Sequence, residues 1–205
     1  MKKITLFIVL VIVFSCKKET TKPLTPEKII PQTDNIIYSS AFIEPYLKFN
    51  AEYSEYELIK LKNPKSFSQE ELAYPVKENE FEFNKSNDFQ YYTTTSFNFN
   101  TVAYKVIAYT SYGENDSKVV NIQLNSYLAN IQTDALLLDC RFTFETEYYR
   151  QFTIRKDGTI AIKKIAINGL AYDDEGDIIG QKKVKDTTTT LLRYKINPTG
   201  KFTKY

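Results

Sequence analysis

Alternation of side chains along short segments is the feature that most limits how this chain can fold. Between residues 117 and 125, one face of an extended chain carries Val120, Ile122 and Leu124, and the other carries Val119, Asn121 and Gln123. Successive side chains of a strand point to opposite faces, so this spacing predicts a β-strand with a buried face. The 16 tyrosines and 14 phenylalanines also favour strands.

The same pattern recurs along the chain and predicts about ten strands. They cover residues 41–50, 53–62, a segment that begins at Phe81, and residues 89–100, 102–109, 117–125, 136–145, 148–155, 159–168 and 189–195. Short connections and little helical periodicity indicate an antiparallel all-β fold, a meander that forms a sandwich or an open barrel. We expect one domain over residues 36–205. A subdivision near Gly113 is the alternative, because all six glycines lie between Gly113 and Gly200.

Two local signals interrupt or connect the predicted strands. Ser68 and Glu71 have the spacing of a capping box, which predicts a short helical turn over residues 68–74 before Pro75. Asp157 and Gly158 both tolerate positive φ, so this pair predicts a tight hairpin.

The first residues have the order of a secretory signal peptide. Lys2 and Lys3 precede an apolar run over residues 4–14, and Ser15 is a small residue directly before Cys16. The run is shorter than the about 20 residues that a transmembrane helix needs. We therefore predict that residues 1–15 are a signal peptide that is removed.

The end of this segment, Val13-Phe14-Ser15-Cys16, resembles a bacterial lipobox, although Phe14 departs from the small residue common at its place. The SCKKE start and the abundant Asn, Lys, Tyr and Ile are similar to lipoproteins of Bacteroidota. This resemblance implies diacylglycerol and palmitate on Cys16, with the protein anchored to the bacterial cell envelope, at the periplasmic or surface face of the outer membrane. Ordinary secretion is the alternative, because Val13 and Ser15 also suit a plain cleavage site.

A polar segment follows the predicted lipid attachment. Residues 16–35 contain Pro23, Pro26 and Pro31 and show neither strand nor helix periodicity. Proline-rich segments are extended and semi-rigid. We expect a tether that holds the domain away from the membrane.

Charge and composition exclude several classes of function. Without residues 1–15 the formal charge is 27 − 2 − 25 = 0, so no basic excess is present to bind nucleic acid. With no histidine, histidine-dependent triads and histidine metal sites are excluded. If Cys16 carries lipid, Cys140 is the only free thiol, which we expect to be buried on the same face as Leu136, Leu138, Phe142 and Phe144. We therefore expect neither an enzyme nor a cofactor.

One acidic loop is a candidate metal site. It comprises Asp173, Asp174, Glu175 and Asp177, around Gly176. Oxygen ligands on a glycine-containing loop suit Ca²⁺. The acids are adjacent rather than alternate, however, so a solvated loop is the competing interpretation.

Two tyrosine doublets indicate a contact surface. Tyr91 with Tyr92, and Tyr148 with Tyr149, must each place one ring on each face of a strand. We predict a non-catalytic module that binds another envelope protein through these strands. The alternatives are a hydrolase that cleaves envelope polysaccharide with two carboxylates, and a lipocalin-like carrier with an apolar cavity inside a closed barrel.

Overall fold

The computed structural model describes residues 35–113 and 116–205. The predicted signal peptide, Cys16 and nearly all of the tether lie outside these residues. Twelve strands and two short α-helices make up the described chain. In order they are β1 (Ile36–Ser39), α1 (Ser40–Ile43), β2 (Leu47–Asn50), β3 (Glu55–Leu58), β4 (Lys65–Ser66), α2 (Gln69–Ala73), β5 (Gln90–Phe99), β6 (Val102–Tyr112), β7 (Lys118–Leu128), β8 (Ile131–Thr143), β9 (Thr146–Arg155), β10 (Thr159–Tyr172), β11 (Ile178–Ile196) and β12 (Phe202–Lys204).

Most strands belong to one open, antiparallel sheet. Strands β4 to β12 follow one another across it in sequence order, and β1 pairs with β9 a few residues beyond the point where β8 leaves it. Strands β2 and β3 form a separate hairpin. The all-β prediction is confirmed, and the described strands do not close into a barrel. No helix of the described chain is long and apolar enough to span a membrane.

The main core lies between the two halves of the bent sheet, as in a sandwich. Its buried side chains come from alternate positions of β6 to β8 on one side and of β9 to β12 on the other. They include Val106, Ile122, Leu136, Phe152, Ile162 and Tyr194. The alternation in residues 117–125 therefore predicts the inner face of β7 correctly, because Val120, Ile122 and Leu124 all lie in the main core. Each fully buried aliphatic side chain contributes about 1.5–3 kcal/mol to this packing.

The outer face of β5 to β8 is covered as well. Residues 65–89 cross it, and Phe67 packs there against Tyr91 and Tyr109. Helix α2 anchors this segment through the predicted capping box, in which Glu71 N–H donates to the Ser68 hydroxyl at 3.2 Å. The prediction of a short helix here is confirmed.

One predicted strand is correct only in its second half, and another is wrong. Residues 41–50 begin with helix α1 and a 3-10 turn over Glu44–Tyr46, and only Leu47–Asn50 is extended. Pro45 favours this turn because proline has the φ of a first helical turn. Phe81 lies in a loop, where its ring packs edge-on against Phe142 and Tyr148.

A β-bulge in β8 corrects the predicted face of Cys140. Gln123 of β7 pairs with Leu137, but Ile122 pairs with Asp139, so Leu138 is the extra residue. Because the extra residue reverses the alternation, Leu136 and Leu138 lie in the main core, whereas Cys140 and Phe142 lie on the outer face of the sheet. There they form a second buried cluster, the outer cluster, with Phe83, Val119, Leu137 and Tyr148. On either side of Gly113, β6 and β7 pair continuously from Ala103 to Tyr112.

Candidate functional site

The hairpin of β10 and β11 extends well beyond the core. Strand β11 has 19 residues, and its side chains are mostly exposed from Ile178 to Leu191. On its outer edge it pairs with β12 only over Tyr194–Ile196. In the part of the chain that the structure describes, no strand pairs with the rest of this edge, which we call the β11 free edge (residues 178–193).

The register identifies the unpaired backbone groups of this edge. Arg193 C=O accepts the Tyr205 N–H at 3.1 Å, and Asn197 N–H donates to Lys201 C=O at 3.0 Å, so odd-numbered residues point away from β10. Pairing with β10 is continuous from Thr187 to Lys195, so this alternation holds along the segment. The N–H and C=O groups of Thr187, Thr189 and Leu191 therefore face solvent. Such a row is a template for another strand.

A wide bulge limits the free edge at its distal end. Asp186 pairs with Asn168 and Gln181 with Leu170, so residues 182–185 stand opposite Gly169 alone. Lys182 bonds Asp186 at 2.6 Å. Bulges and lysines on an edge prevent unselective pairing. Because the Tyr205 N–H already bonds to Arg193 C=O, the regular part of the free edge runs from Asp186 to Leu192.

Both ends of this regular part are basic. Lys183 and Lys185 lie in the bulge, Arg193 is at the other end, and Lys163 lies beside Leu191 on the neighbouring strand. All four are exposed, and none forms an ion pair with another described residue. Leu191 between them is 53% exposed. The surface thus combines free backbone groups, one apolar side chain and unneutralised positive charge.

A cavity of about 670 Å³ adjoins the bulged part of this hairpin. It is bounded by the β2–β3 hairpin, the turn before β9 and the bulge of β11; its lining includes Phe49, Tyr56, Phe144, Glu145, Glu147, Lys182 and Lys185. Tyr56 donates to Glu147 at 2.7 Å and Tyr172 donates to Glu145 at 3.1 Å. Glu145 lies in the turn before β9 and Glu147 lies two residues later in β9, whereas a glycoside hydrolase places its pair on either side of the scissile bond.

The predicted tyrosine surface is divided by burial. Tyr91 and Tyr148 are buried, so these two rings cannot contact a partner in this structure. Tyr92 and Tyr149 are half-buried. The Tyr148 hydroxyl donates to Glu80 at 2.6 Å, which gives it a structural role. The doublets do place their two rings on opposite faces, but neither doublet makes an open aromatic surface.

The acidic loop lies at the tip of the projecting hairpin. Asp173 accepts the backbone N–H groups of Glu175 at 3.2 Å and Asp177 at 2.8 Å through one carboxylate oxygen. Asp174 is part of the same turn. Among the described residues, no group of three or more acids, histidines or cysteines is arranged to hold a metal ion. The Ca²⁺ interpretation of this loop therefore finds no geometric support.

Sequence reasoning identified the hairpin only in part. It predicted strands at 159–168 and 189–195, but β11 begins eleven residues earlier, at Ile178. The signal present was the run from Thr187 to Thr190, which has high β-propensity but no apolar face. A strand without an apolar face cannot be buried on either side, so such a run indicates a strand outside the core.

Comparisons with known proteins do not add to this geometry. No protein-family model matches the chain, and neither the curated proteins nor the solved structures contain a match to it. The assignment of a function therefore depends on the residues and contacts described above.

Proposed function

We propose that this protein is a lipid-anchored interaction protein of the bacterial envelope, which binds a partner protein by adding a partner strand to the β11 free edge. The observation that carries the proposal is the row of solvent-facing backbone groups at Thr187, Thr189 and Leu191. Backbone hydrogen bonds from an added strand give affinity, and the flanking side chains give specificity.

The position of the hairpin supports this role. Its distal part is not needed to cover the core, because the main core draws on β11 only at Leu192, Tyr194 and Ile196. A strand of 19 residues that contributes three residues to the core is longer than folding requires. A long open edge carries a risk of aggregation, and the bulge and lysines at its distal end protect it only in part, which a binding function would account for.

The anchor completes the proposal. A lipid-modified Cys16 would hold the protein on the membrane, since each buried methylene contributes about 0.8 kcal/mol and two or three chains give stable attachment. Residues 16–35 would then present the domain to a partner in the envelope. No step of bond cleavage is proposed, because the chain has no histidine and its described thiol, Cys140, is buried.

The edge is tested by a proline at an outward-facing position. Thr189→Pro removes an N–H that faces solvent and leaves pairing with β10 intact, so the fold is retained. Thr189→Ala is the matched control because it keeps the N–H. The full-length lipidated protein and both variants are used to capture partners from detergent-solubilised envelopes, and bound proteins are identified by mass spectrometry.

We expect a partner that wild type and Thr189→Ala retain and that Thr189→Pro loses. With that partner bound, hydrogen exchange should show protection of the Thr187, Thr189 and Leu191 amides. A partner held equally by the proline variant would contradict strand addition. Membrane fractionation of Cys16→Ala tests the anchor separately: the variant should become soluble, and continued membrane association would disprove lipid attachment.

A further inference from the structure

We infer that the segment received by the β11 free edge is an acidic strand of a different protein, with glutamate or aspartate on the face that carries Lys163 and Arg193. This inference deepens the proposed function and depends on it. It assigns the chemical class of the partner segment, which the free backbone groups alone do not specify.

Basic side chains gather on one face of the hairpin. Arg193 pairs with Ala161, Leu191 with Lys163 and Lys195 with Thr159, so Lys163, Arg193 and Lys195 all project from that face. Each of these three cations is exposed, and none forms an ion pair with another described residue. On the opposite face, by contrast, Lys164 bonds Glu78 at 2.9 Å and Glu80 at 2.6 Å.

An added strand would bring its side chains beside these cations. Its residues opposite Leu191 and Thr189 would project from the same face as Arg193 and Lys163, because directly paired residues share a face. Lys163 lies one strand further away, still within about 10 Å, the Debye length at 0.1 M salt. Acidic residues at alternate positions would therefore be attracted, and basic residues repelled.

A second copy of this chain fits the edge poorly. Antiparallel pairing of two identical strands about a two-fold axis at Thr187 or Thr188 extends only if the bulged residues 182–185 pair regularly. An axis at Thr190 requires Tyr194, which already pairs with Lys204 of β12. An axis at Thr189 keeps the pairing within residues 186–192, but it brings Lys185 of each copy beside Arg193 of the other. Like charges at such positions destabilise a strand pair.

The length of the segment follows from the limits of the edge. Regular pairing is open from Asp186 to Leu192, between the bulge and the contact of Arg193 with Tyr205. A partner strand of about six to eight residues fills this space, at about 3.4 Å per residue. Its other face would lie beside Thr188 and Thr190, which suit β-branched or small apolar side chains.

Two peptides test the charge preference directly. One is a fluorescein-labelled nonapeptide of alternating valine and glutamate, and the other replaces each glutamate by lysine. Binding to the full-length lipidated protein in non-ionic detergent is measured by fluorescence anisotropy. We expect the glutamate peptide to bind at least about tenfold more tightly at low salt, with an advantage that declines as salt increases.

Charge reversal provides the matched comparison. Lys163→Glu with Arg193→Glu should invert the preference, so that the lysine peptide binds more tightly. Reversal of two exposed lysines outside the hairpin, Lys48→Glu with Lys156→Glu, changes the net charge equally and should leave the preference for the glutamate peptide in place. Thr189→Pro should abolish binding of both peptides.

The outcomes separate this inference from the proposed function. Equal binding of the two peptides, lost in Thr189→Pro, would overturn the acidic preference while strand addition stands. The acidic preference would also be overturned if both charge-reversed double variants lost the preference for the glutamate peptide equally, because net charge would then be the cause. Dimers in sedimentation that Thr189→Pro dissociates would show that a second copy fills the edge. Peptide binding that the proline variant retains would contradict strand addition itself.

Discussion

The carboxylate of Asp139 accepts the backbone N–H of Arg150 at 2.6 Å and takes the place of a neighbouring strand. Strands β8 and β9 pair only at Phe142 with Tyr148 and at Thr143 with Glu147, and then separate. The next N–H on the edge of β9 that β8 has left is that of Phe152, and it donates to the Ser40 hydroxyl at 2.7 Å. Two side chains thus supply the acceptors between the end of β8 pairing and the start of β1.

Removal of the Asp139 carboxylate should destabilise the protein strongly. Asp139 also accepts from Arg141 Nε at 2.6 Å, and both arginines are buried. Asp139→Ala leaves the buried Arg150 N–H without its acceptor and leaves the buried Arg141 with only its ion pair to the exposed Glu44, at a cost of about 3 kcal/mol. Asp139→Asn keeps an acceptor for Arg150 and should cost less. Urea unfolding at pH 7 measures both; a loss under about 1 kcal/mol for the alanine variant would contradict this role.

The sequence predicted the parts of the fold that local periodicity determines. Strands β5 to β10, the capped helix α2 and the hairpin at Asp157 and Gly158 agree with it. The bulge at Leu138 could not be predicted, because it depends on the register between β7 and β8 rather than on local sequence. Phe81 was misassigned because an apolar, alternating loop that covers a sheet has the same pattern as a strand.

The candidate site was harder to predict than the fold. Tyrosine doublets do alternate in and out, but the sequence does not show that residues 65–89 cover the outer face over Tyr91. The free edge depends on strand order, because β11 is last but one in the sheet and β12 has only three residues. The charged and threonine-rich run was visible, whereas its position at an edge was not.

Acid should remove the contribution of the Glu78 carboxylate to the free energy of unfolding. Burial alone would raise its pKa, but hydrogen bonds from Tyr194, Lys164 and Lys204 outweigh burial and lower the pKa to about 2, from 4.5. The Glu78 carboxyl therefore binds a proton more readily in the unfolded chain than in the folded one. Its contribution to the free energy of unfolding is complete above pH 4.5 and is lost as the pH falls towards 2.

The measurement compares unfolding free energies of wild type and Glu78→Gln between pH 6 and pH 2. The wild-type advantage should be about 2 kcal/mol at pH 6, since the exposed Lys204 is partly screened by solvent, and should vanish near pH 2. Tyr194→Phe removes one donor and should move the acid loss to higher pH. An advantage that does not change with pH would show that Glu78 acts only by packing.

Cys140 should be inert while the protein is folded. The thiol is fully buried, and burial raises its pKa to about 12. The thiolate is the nucleophile that attacks an alkylating reagent, and the folded protein both blocks access to Cys140 and disfavours its ionisation. In full-length Cys16→Ala, iodoacetamide at pH 8 should label Cys140 at least about 100-fold more slowly than in urea. Mass spectrometry follows the reaction; rapid labelling of the native protein would show that the outer cluster opens readily.

Two glycines with positive φ allow backbone strain to be separated from crowding. Gly176 has φ +91° and nothing within 4 Å of where a Cβ would lie, whereas at Gly200, with φ +82°, a Cβ would lie 2.8 Å from Val102 Cγ1 and 2.9 Å from Thr133 Oγ1. Gly176→Ala should therefore cost only the backbone term, about 1 kcal/mol. Gly200→Ala should cost about 2–4 kcal/mol, because the methyl group also overpacks the contact between the β11–β12 turn and strands β6 and β8. Thermal and urea unfolding measure the difference, and equal losses for the two variants would mean that the turn moves away from Val102 without cost.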